Sequence, residues 1–247
     1  MNLNWTLYRL LSLFSDKSSY SQLLRYKHIS VSSFLILRKL HALVPELKTI
    51  VDVGANQGQF CIAARHRFPQ AAIHSYEPVP DTFKVLSSNV GKAGNIQLNQ
   101  LALGHEEGVI PFHQNKYSHV SSILKVSSEN DQSKYNIGVE KVIEVPISTL
   151  DRQFNHQKSQ GPVLLKLDVQ GYEKSVLEGG PEFVKQVDFI LIEMPFVQLY
   201  ENQLSFTEIN DYLNSIGFTL RQPMDFNLGK GNQIIEMDAL YQRTPGQ

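Results

Sequence analysis

Residues 50–58 read Ile-Val-Asp-Val-Gly-Ala-Asn-Gln-Gly, and this stretch decides the fold of the chain. Residues 49–53 are mostly β-branched, which predicts a short buried strand. Gly54 and Gly58 allow a tight turn, and apolar residues recur at helical spacing from Phe60 onward. A strand that passes through a glycine-rich turn into a helix is how α/β proteins hold nucleotide-like ligands.

From residue 49 onward the pattern alternates between strands and helices. The predicted strands cover residues 49–53, 72–76, 96–102, 163–168, 189–193, 218–221 and 239–241. This order predicts a doubly wound, mostly parallel sheet of the Rossmann-like type, with residues 49–247 forming one domain. Two further short strands, at 109–112 and 141–145, flank a polar segment at 115–136 that is either a substrate loop or a mobile surface loop.

The first 48 residues form a separate pattern. Leucines from Leu3 to Leu11 predict one helix, and apolar residues from Phe34 to Val44 predict a second helix that Pro45 ends. We interpret this extension as a helical cap of the same domain, packed on the sheet or on a second subunit of a homo-oligomer. An amphipathic segment on a membrane surface is the alternative, but its polar face has few basic residues.

Composition limits the function classes. The 247 residues have a net charge of -1, whereas nucleic-acid binding needs a basic excess. Cys61 is the single cysteine, which excludes an intramolecular disulfide and fits a reducing compartment. No run approaches 18 apolar residues and no secretory signal is recognisable, so we expect no transmembrane segment and a cytoplasmic protein.

The glycine spacing favours one ligand over another. A dinucleotide fingerprint, G-x-G-x-x-G, would begin at Gly54 but meets Asn56 and Gln59 where glycines belong. The observed spacing, with Asp52 two residues before the first glycine, suits S-adenosylmethionine instead. Glu77 at the end of the second strand can accept hydrogen bonds from both ribose hydroxyls of that cofactor.

Four acids lie at or near predicted strand ends: Asp52, Glu77, Asp168 and Glu193. Ligands of open α/β sheets bind at the carboxyl ends of the strands, so these acids should converge on one edge. The alternative for each acid alone is a helix cap or a surface carboxylate.

A series of short motifs resembles the FkbM family of methyltransferases over residues 49–194. The motifs are Val-Asp-Val-Gly-Ala-Asn-Gln-Gly-Gln-Phe (51–60), Tyr-Glu-Pro (76–78), Leu-Ala-Leu-Gly (101–104), Ser-Ser (121–122), Ser-Thr-Leu-Asp (148–151), Lys-Leu-Asp-Val-Gln-Gly (166–171) and Ile-Glu (192–193). The resemblance implies a class I fold, S-adenosylmethionine as cofactor, and methylation of hydroxyls on sugars, glycans or polyketide-type small molecules. Gln170 departs from the family, which usually has a glutamate there, so no carboxylate role is carried over to it.

Residue by residue, the resemblance implies a cofactor site. The methionine end would be held by Asp52, Gly54, Asn56 and Gly58, the ribose by Glu77, and the adenine would lie against Ala102.

An alcohol is a poor nucleophile at neutral pH, so a nearby base assists its in-line attack on the methyl group. Asp168 is the first candidate base, with Glu193 as its partner or as a ligand of substrate hydroxyls. His119 is the second candidate base if the polar segment folds over the site. Asp168 and Glu193 would permit a divalent metal, but no third ligand is evident and we predict none.

Three alternatives remain open. The chain could be a catalytically silent methyltransferase-like module that binds a partner through residues 1–48. It could be an NAD(P)-dependent oxidoreductase, although it lacks a Tyr-x-x-x-Lys pair. A nucleic-acid methyltransferase fits the neutral charge poorly. Residues 115–136 and 223–232 are expected to set the choice of acceptor.

Overall fold

The computed structural model describes residues 30–91, 95–115, 118–127, 139–154, 159 and 161–245. The first predicted helix, the part of residues 1–48 before Ser30 and half of the polar segment therefore lie outside the described residues. None of the helices in the described part of the chain is long and apolar enough to cross a lipid bilayer.

The elements follow the predicted alternation. In chain order they are α1 (Val31–Leu43), β1 (Thr49–Val53), α2 (Gln59–Arg67), β2 (Ala72–Tyr76), α3 (Pro80–Val90), β3 (Ile96–Asn99), β4 (Ala102–Leu103), β5 (Gly108–Asn115), β6 (Val139–Ser148), α4 (Leu150–Gln153), β7 (Val163–Leu167), α5 (Glu173–Glu178), α6 (Pro181–Val184), β8 (Phe189–Pro195), α7 (Phe206–Ser215), β9 (Phe218–Leu228) and β10 (Ile234–Arg243). Short 3₁₀ turns occur at Ser118–Val120 and Lys230–Asn232.

A seven-stranded sheet has the order β3-β2-β1-β7-β8-β10-β9. The pairs from β3 to β8 are parallel, and β10 runs antiparallel to both β8 and β9. The predicted doubly wound, mostly parallel α/β fold is confirmed. Because β1, β2, β7 and β8 are parallel, their carboxyl ends meet at one edge of the sheet, where the predicted acids lie.

The two sheet faces bury different partners. Ile50, Leu164 and Leu191 pack with α1 and α2 on one face. Val51, Leu165 and Ile190 pack on the other face with α5, α6, α7 and the second sheet. The second predicted helix of the N-terminal extension therefore packs on the sheet, which is one of the two arrangements that we considered for it. Cys61 is buried on the α2 face as a small core residue.

The third predicted strand, 96–102, is instead two strands in different sheets. β3 ends at Asn99, and β4 pairs with β6 in a three-stranded sheet of order β4-β6-β5. The strands predicted at 109–112 and 141–145 are longer because β5 and β6 pair with each other in antiparallel fashion. Their buried residues Phe112, Val145 and Ile147 extend the core below β4.

The last two strands are also longer than predicted, since they pair with each other along most of their length. Residues 223–228 belong to β9, so much of the segment 223–232, which is expected to set the choice of acceptor, is sheet. The pairing of β9 with β10 contains three register shifts. Helix α3 begins at Pro80, which suits the first helical position, so Asp81 lies in its first turn and is not its N-cap.

The glycine turn after β1 is pressed against the end of β7. Gly54 has a φ of 80°, and a Cβ atom built there would lie 1.9 Å from the backbone oxygen of Asp168. The backbone N–H groups of Gly54 and Ala55 both donate to the carbonyl oxygen of Tyr76. The turn thus joins the carboxyl ends of three neighbouring strands, and only glycine fits at its first position.

We expect Gly54→Ala to destabilise the fold severely. The left-handed backbone alone costs a residue with a Cβ about 1–2 kcal/mol, and steric overlap with Asp168 adds about 3 kcal/mol or more. Gly231→Ala is the matched control, because Gly231 has a φ of 73° and open space around it. Urea unfolding should show a much larger loss of stability for Gly54→Ala; equal losses for the two variants would contradict this account of the turn.

Candidate functional site

An open cavity of about 630 Å³ lies at the carboxyl ends of β1 and β2. Four of the predicted cofactor residues line it: Gly54, Asn56, Glu77 and Ala102. Apolar side chains form most of the remaining wall, namely Val53, Tyr76, Val79, Leu101, Leu103, Phe112 and Ile123. A largely apolar cleft with a few polar groups at one end is typical of a site for a small organic molecule.

The carboxylate of Glu77 is fixed by the backbone on both sides. The N–H of Asn56 donates to Oε2 at 3.0 Å, and the N–H of Val79 donates to Oε1 at 2.9 Å. Burial raises the pKa of Glu77 to about 7. Each oxygen has a second lone pair, so the carboxylate can accept two hydroxyl groups while it stays in place.

The 3₁₀ turn Ser118–Val120 closes over this cavity. The Ser118 hydroxyl donates to Oδ1 of Asn56 at 2.9 Å, and the Ser122 hydroxyl donates to the backbone carbonyl of Gln170 at 2.8 Å. His119 is exposed and lines both this cavity and a second one described below. The described part of the polar segment therefore lies over the site, which is the condition under which His119 is a candidate base.

Two predicted cofactor residues do not line the cavity. Gly58, with a φ of 91°, is the N-cap of α2 and lies close to Leu86 of α3. The side chain of Asp52 points to the opposite face of β1 from Val53, because successive residues of a strand alternate. It is fully buried there, and Oδ1 lies 3.1 Å from Nζ of Lys166.

Lys166 joins three groups at the sheet edge. Its ammonium lies 3.1 Å from Asp52 and 3.3 Å from Oδ2 of Asp168, and it donates to the backbone carbonyl of Gly54 at 3.1 Å. Burial alone lowers the pKa of Lys166, but the charges of Asp52 and Asp168 outweigh it and raise the pKa. The lysine thus stays charged and fixes Asp168 against the glycine turn.

Asp168 and Glu193 are brought together, as predicted, and Gln170 lies between them. Its Nε2 donates to Oδ1 of Asp168 at 3.1 Å and to Oε2 of Glu193 at 2.6 Å. Its Oε1 accepts from the hydroxyl of Tyr200 at 3.0 Å. The two carboxylates are therefore linked through an amide.

A second cavity, of about 1070 Å³, adjoins the first and shares Gly54, Asn56, His119 and Asp168 with it. Five carboxyl groups line it: Asp168, Glu193, Asp225, Glu236 and Asp238. We call it the acidic chamber. The start of α1 closes one side of it through Ser30, Ser32 and Ser33, and the hydroxyl of Ser32 donates to Asp225.

Three acids of the chamber form a row across neighbouring strands. Glu193 on β8 lies opposite Asp238 on β10, and Asp238 lies opposite Asp225 on β9. Like charges in such a row repel each other. Burial, followed by the repulsion of neighbouring acids, raises the pKa of Glu193 and raises that of Asp238 to about 8.

Sequence reasoning missed Lys166, Tyr200, Glu236 and Asp238. A signal for the last two was present, because they alternate with apolar residues in β10 as one polar face. Lys166 occupies a buried position of the apolar strand β7, and a lysine is almost never fully buried unless it is paired with an acid. The contribution of α1 to the chamber could not be predicted from the sequence, because its serines come close to the acids only in the folded chain.

Comparison with known proteins supports one family. Streptococcus pneumoniae Sp1610 in complex with S-adenosyl-L-methionine has the same fold at a TM-score of 0.51 and 12% identity, over 89% of this chain and 75% of that one. The 2-O-methyltransferase NoeI of Sinorhizobium fredii is 26% identical over 199 residues, 78% of this chain and 82% of that protein. The 31-O-demethyl-FK506 methyltransferase FkbM of Streptomyces tacrolimicus is 24% identical over 220 residues, 80% and 81% of the two chains. The hexuronic acid methyltransferase AglP of Haloferax volcanii is 27% identical over 161 residues, 64% and 61% of the two chains.

The described site fits the cofactor of this family. The apolar cleft beside Ala102 suits a purine ring, and the fixed carboxylate of Glu77 suits a pair of ribose hydroxyls. The family pattern of the Methyltransferase FkbM domain matches residues 52–220, more than half of the chain. The chain therefore belongs to the FkbM methyltransferase family and is an S-adenosylmethionine-dependent methyltransferase.

Proposed function

We propose that the chain methylates a hydroxyl oxygen of a neutral or cationic sugar, glycan or polyketide-type small molecule. The observation that supports this most strongly is the position of Asp168, which lines both the cofactor cavity and the acidic chamber. A base at that junction is next to both reactants. The names of the relatives NoeI and FkbM, both O-methyltransferases, support the same reaction type.

On the cofactor side, Glu77 would accept the ribose hydroxyls and Ala102 would lie against the adenine. Gly54 and Asn56 would face the methionine end, while Asp52 would act through Lys166, which holds the glycine turn. When bound, S-adenosylmethionine supplies an electrophilic methyl group. Family membership argues against the oxidoreductase alternative.

Asp168 would take the proton of the acceptor hydroxyl. Lys166 contacts its Oδ2 and Gln170 contacts its Oδ1, and 39% of the side chain remains exposed to the cavities. The carboxylate is thus oriented but still accessible. The alignment of the hydroxyl by Asp168 and Glu193 would supply most of the rate enhancement, because in-line displacement depends on geometry.

The acidic chamber would bind the body of the acceptor. Its carboxyl groups can bind hydroxyls as donors or acceptors, according to whether they hold a proton. Lys166, the cation that lines the chamber within the described residues, is already engaged by Asp52 and Asp168. The chamber therefore disfavours an anionic acceptor.

We expect binding of S-adenosylmethionine to weaken as the pH falls below 7. Hydroxyl donors favour ionised Glu77, whose pKa is about 7 in the free protein, so binding releases a proton and the Kd rises by up to about tenfold per pH unit below that value. Calorimetry at pH 6, 7 and 8, in buffers of different ionisation enthalpy, measures both effects.

Glu77→Gln is the control for this titration. It should bind the cofactor more weakly and without the pH dependence, and NAD should not bind to either protein. An unchanged pH slope in Glu77→Gln would assign the proton to another group, and failure of the native protein to bind S-adenosylmethionine would leave a silent binding module.

Replacement of the two candidate bases distinguishes them. Asp168→Asn should lower kcat by about 10²–10⁴ because it removes the proton acceptor, whereas His119→Gln should retain most of the activity. S-adenosylhomocysteine release measures kcat, and calorimetry checks that cofactor binding persists in both variants. The reverse order of the two effects would make His119 the base.

The charge of the chamber predicts acceptor preference. Among methyl glycosides of glucose, glucosamine and glucuronic acid, the glucuronide should have a kcat/KM at least about tenfold lower than the others, since like charges in a binding site are costly. S-adenosylhomocysteine release with each compound at pH 8 measures this. Preference for the glucuronide would contradict the chamber as the acceptor site.

A further inference from the structure

The side chain of Gln170 is placed as a bridge between two acids. Its amide nitrogen lies within hydrogen-bond distance of both Asp168 and Glu193, and its amide oxygen faces Tyr200. The orientation of the amide follows from chemistry: ionised carboxylates only accept hydrogen bonds, whereas a tyrosine hydroxyl can donate. Both N–H groups of the amide are therefore used on the acids.

The backbone of Gln170 is held in an unfavourable conformation to reach this position. Its φ is 56°, in the left-handed region that residues with a Cβ rarely adopt. Oε1 of the buried Glu173 accepts from the N–H groups of Val169 and Gly171, on either side of Gln170. The Ser122 hydroxyl binds the carbonyl of Gln170 itself. Several contacts thus stabilise a turn that serves to aim one side chain.

We propose that Gln170 is a positioning residue, whose side-chain amide holds Asp168 and Glu193 together and directs both toward the acceptor hydroxyl. This inference rests on the proposed function, in which these two acids face the acceptor. Tyr200 fixes the amide from behind. Gln170 thereby provides the hydrogen-bond donors that two neighbouring carboxyl groups require, and it leaves the outer face of Asp168 open to the acceptor.

The charges around Glu193 favour a hydrogen-bond donor at Gln170. Acidic side chains surround Glu193: Asp168 after β7, Glu173 on α5, Asp225 on β9, and Glu236 and Asp238 on β10. The ammonium of Lys166 on β7 contacts other acids. Among the described residues, Tyr200 and His119 are further titratable groups on this side. Burial and the neighbouring acids already raise the pKa of Glu193. Loss of the amide would raise it further, because a hydrogen bond to a carboxylate favours the charged form.

The test combines a titration with kinetics. Glutamate carboxyl carbons are labelled with ¹³C, the signal of Glu193 is assigned by its absence in Glu193→Gln, and its apparent pKa is measured by NMR. In Gln170→Leu we expect the apparent pKa to rise by about one unit or more. The isosteric Gln170→Glu, which keeps the shape but not the donor, should show at least the same rise, and Tyr200→Phe a smaller one.

Gln153→Leu is the matched control, because the Gln153 amide donates to the Ser148 hydroxyl instead. It should leave the titration unchanged. With the acceptor found in the glycoside screen, kcat should fall about tenfold or more in both Gln170 variants, while the Kd for S-adenosylmethionine changes little.

An unchanged Glu193 titration in Gln170→Glu would overturn the proposal, as would full activity in either Gln170 variant. If Gln170→Leu fails to fold, Gln170→Glu decides alone. The titration needs no acceptor, so absence of any methyl transfer in the native protein would refute the proposed function, whereas an unmoved titration would refute the role of Gln170.

Discussion

The ammonium of Lys166 is the group on which the site depends. It is buried under the glycine turn, and its three donors reach a carboxylate of β1, a carboxylate that follows β7 and the backbone carbonyl of Gly54. Removing one partner from such a buried set typically costs about 3–5 kcal/mol, because an uncompensated charge remains. The lysine therefore couples the conformation of the glycine turn to the position of Asp168. The ring centroid of Phe60 lies 5.5 Å from the ammonium and shields it on a further side.

The acids of the site fall into two environments. Glu77 lies in the largely apolar cleft and is held by two backbone N–H groups, so its carboxylate is available to a ligand that brings hydroxyls. Glu193, Glu236 and Asp238 crowd one end of the sheet, where burial and the charge of nearby Asp168 raise the pKa of each. A carboxyl group with a raised pKa, such as Asp238 with a pKa of about 8, holds its proton near neutral pH. It can therefore donate and accept hydrogen bonds at once, which suits a polyol.

The sequence was sufficient for features that depend on local pattern. The strands at 49–53 and 72–76 have the predicted bounds. The Ser-x-x-Glu pattern at Ser205 and Glu208 is likewise local, and it forms a capping box at the start of α7. Glu77 and Asp168 could be assigned to one edge because parallel strands end together. Contacts between distant segments could not be predicted, and Asp52 shows why: its position next to the glycine turn is local, but its partner Lys166 comes from a strand more than 100 residues later. The hydrogen bond between Ser32 and Asp225 joins two segments far apart in sequence, and no local pattern links them.

The register shifts between β9 and β10 have a consequence for how such a protein diverges. A strand presents alternate residues to opposite faces, so one inserted or deleted residue in this pair would exchange the acids that β9 and β10 contribute to the chamber for their neighbours in sequence. The strands that we propose hold the cofactor, β1 and β2, lie on the other side of β7 and would not be disturbed. A one-residue shift in the pairing of β9 with β10 could therefore change the acceptor that the protein binds, while binding of the methyl donor is retained.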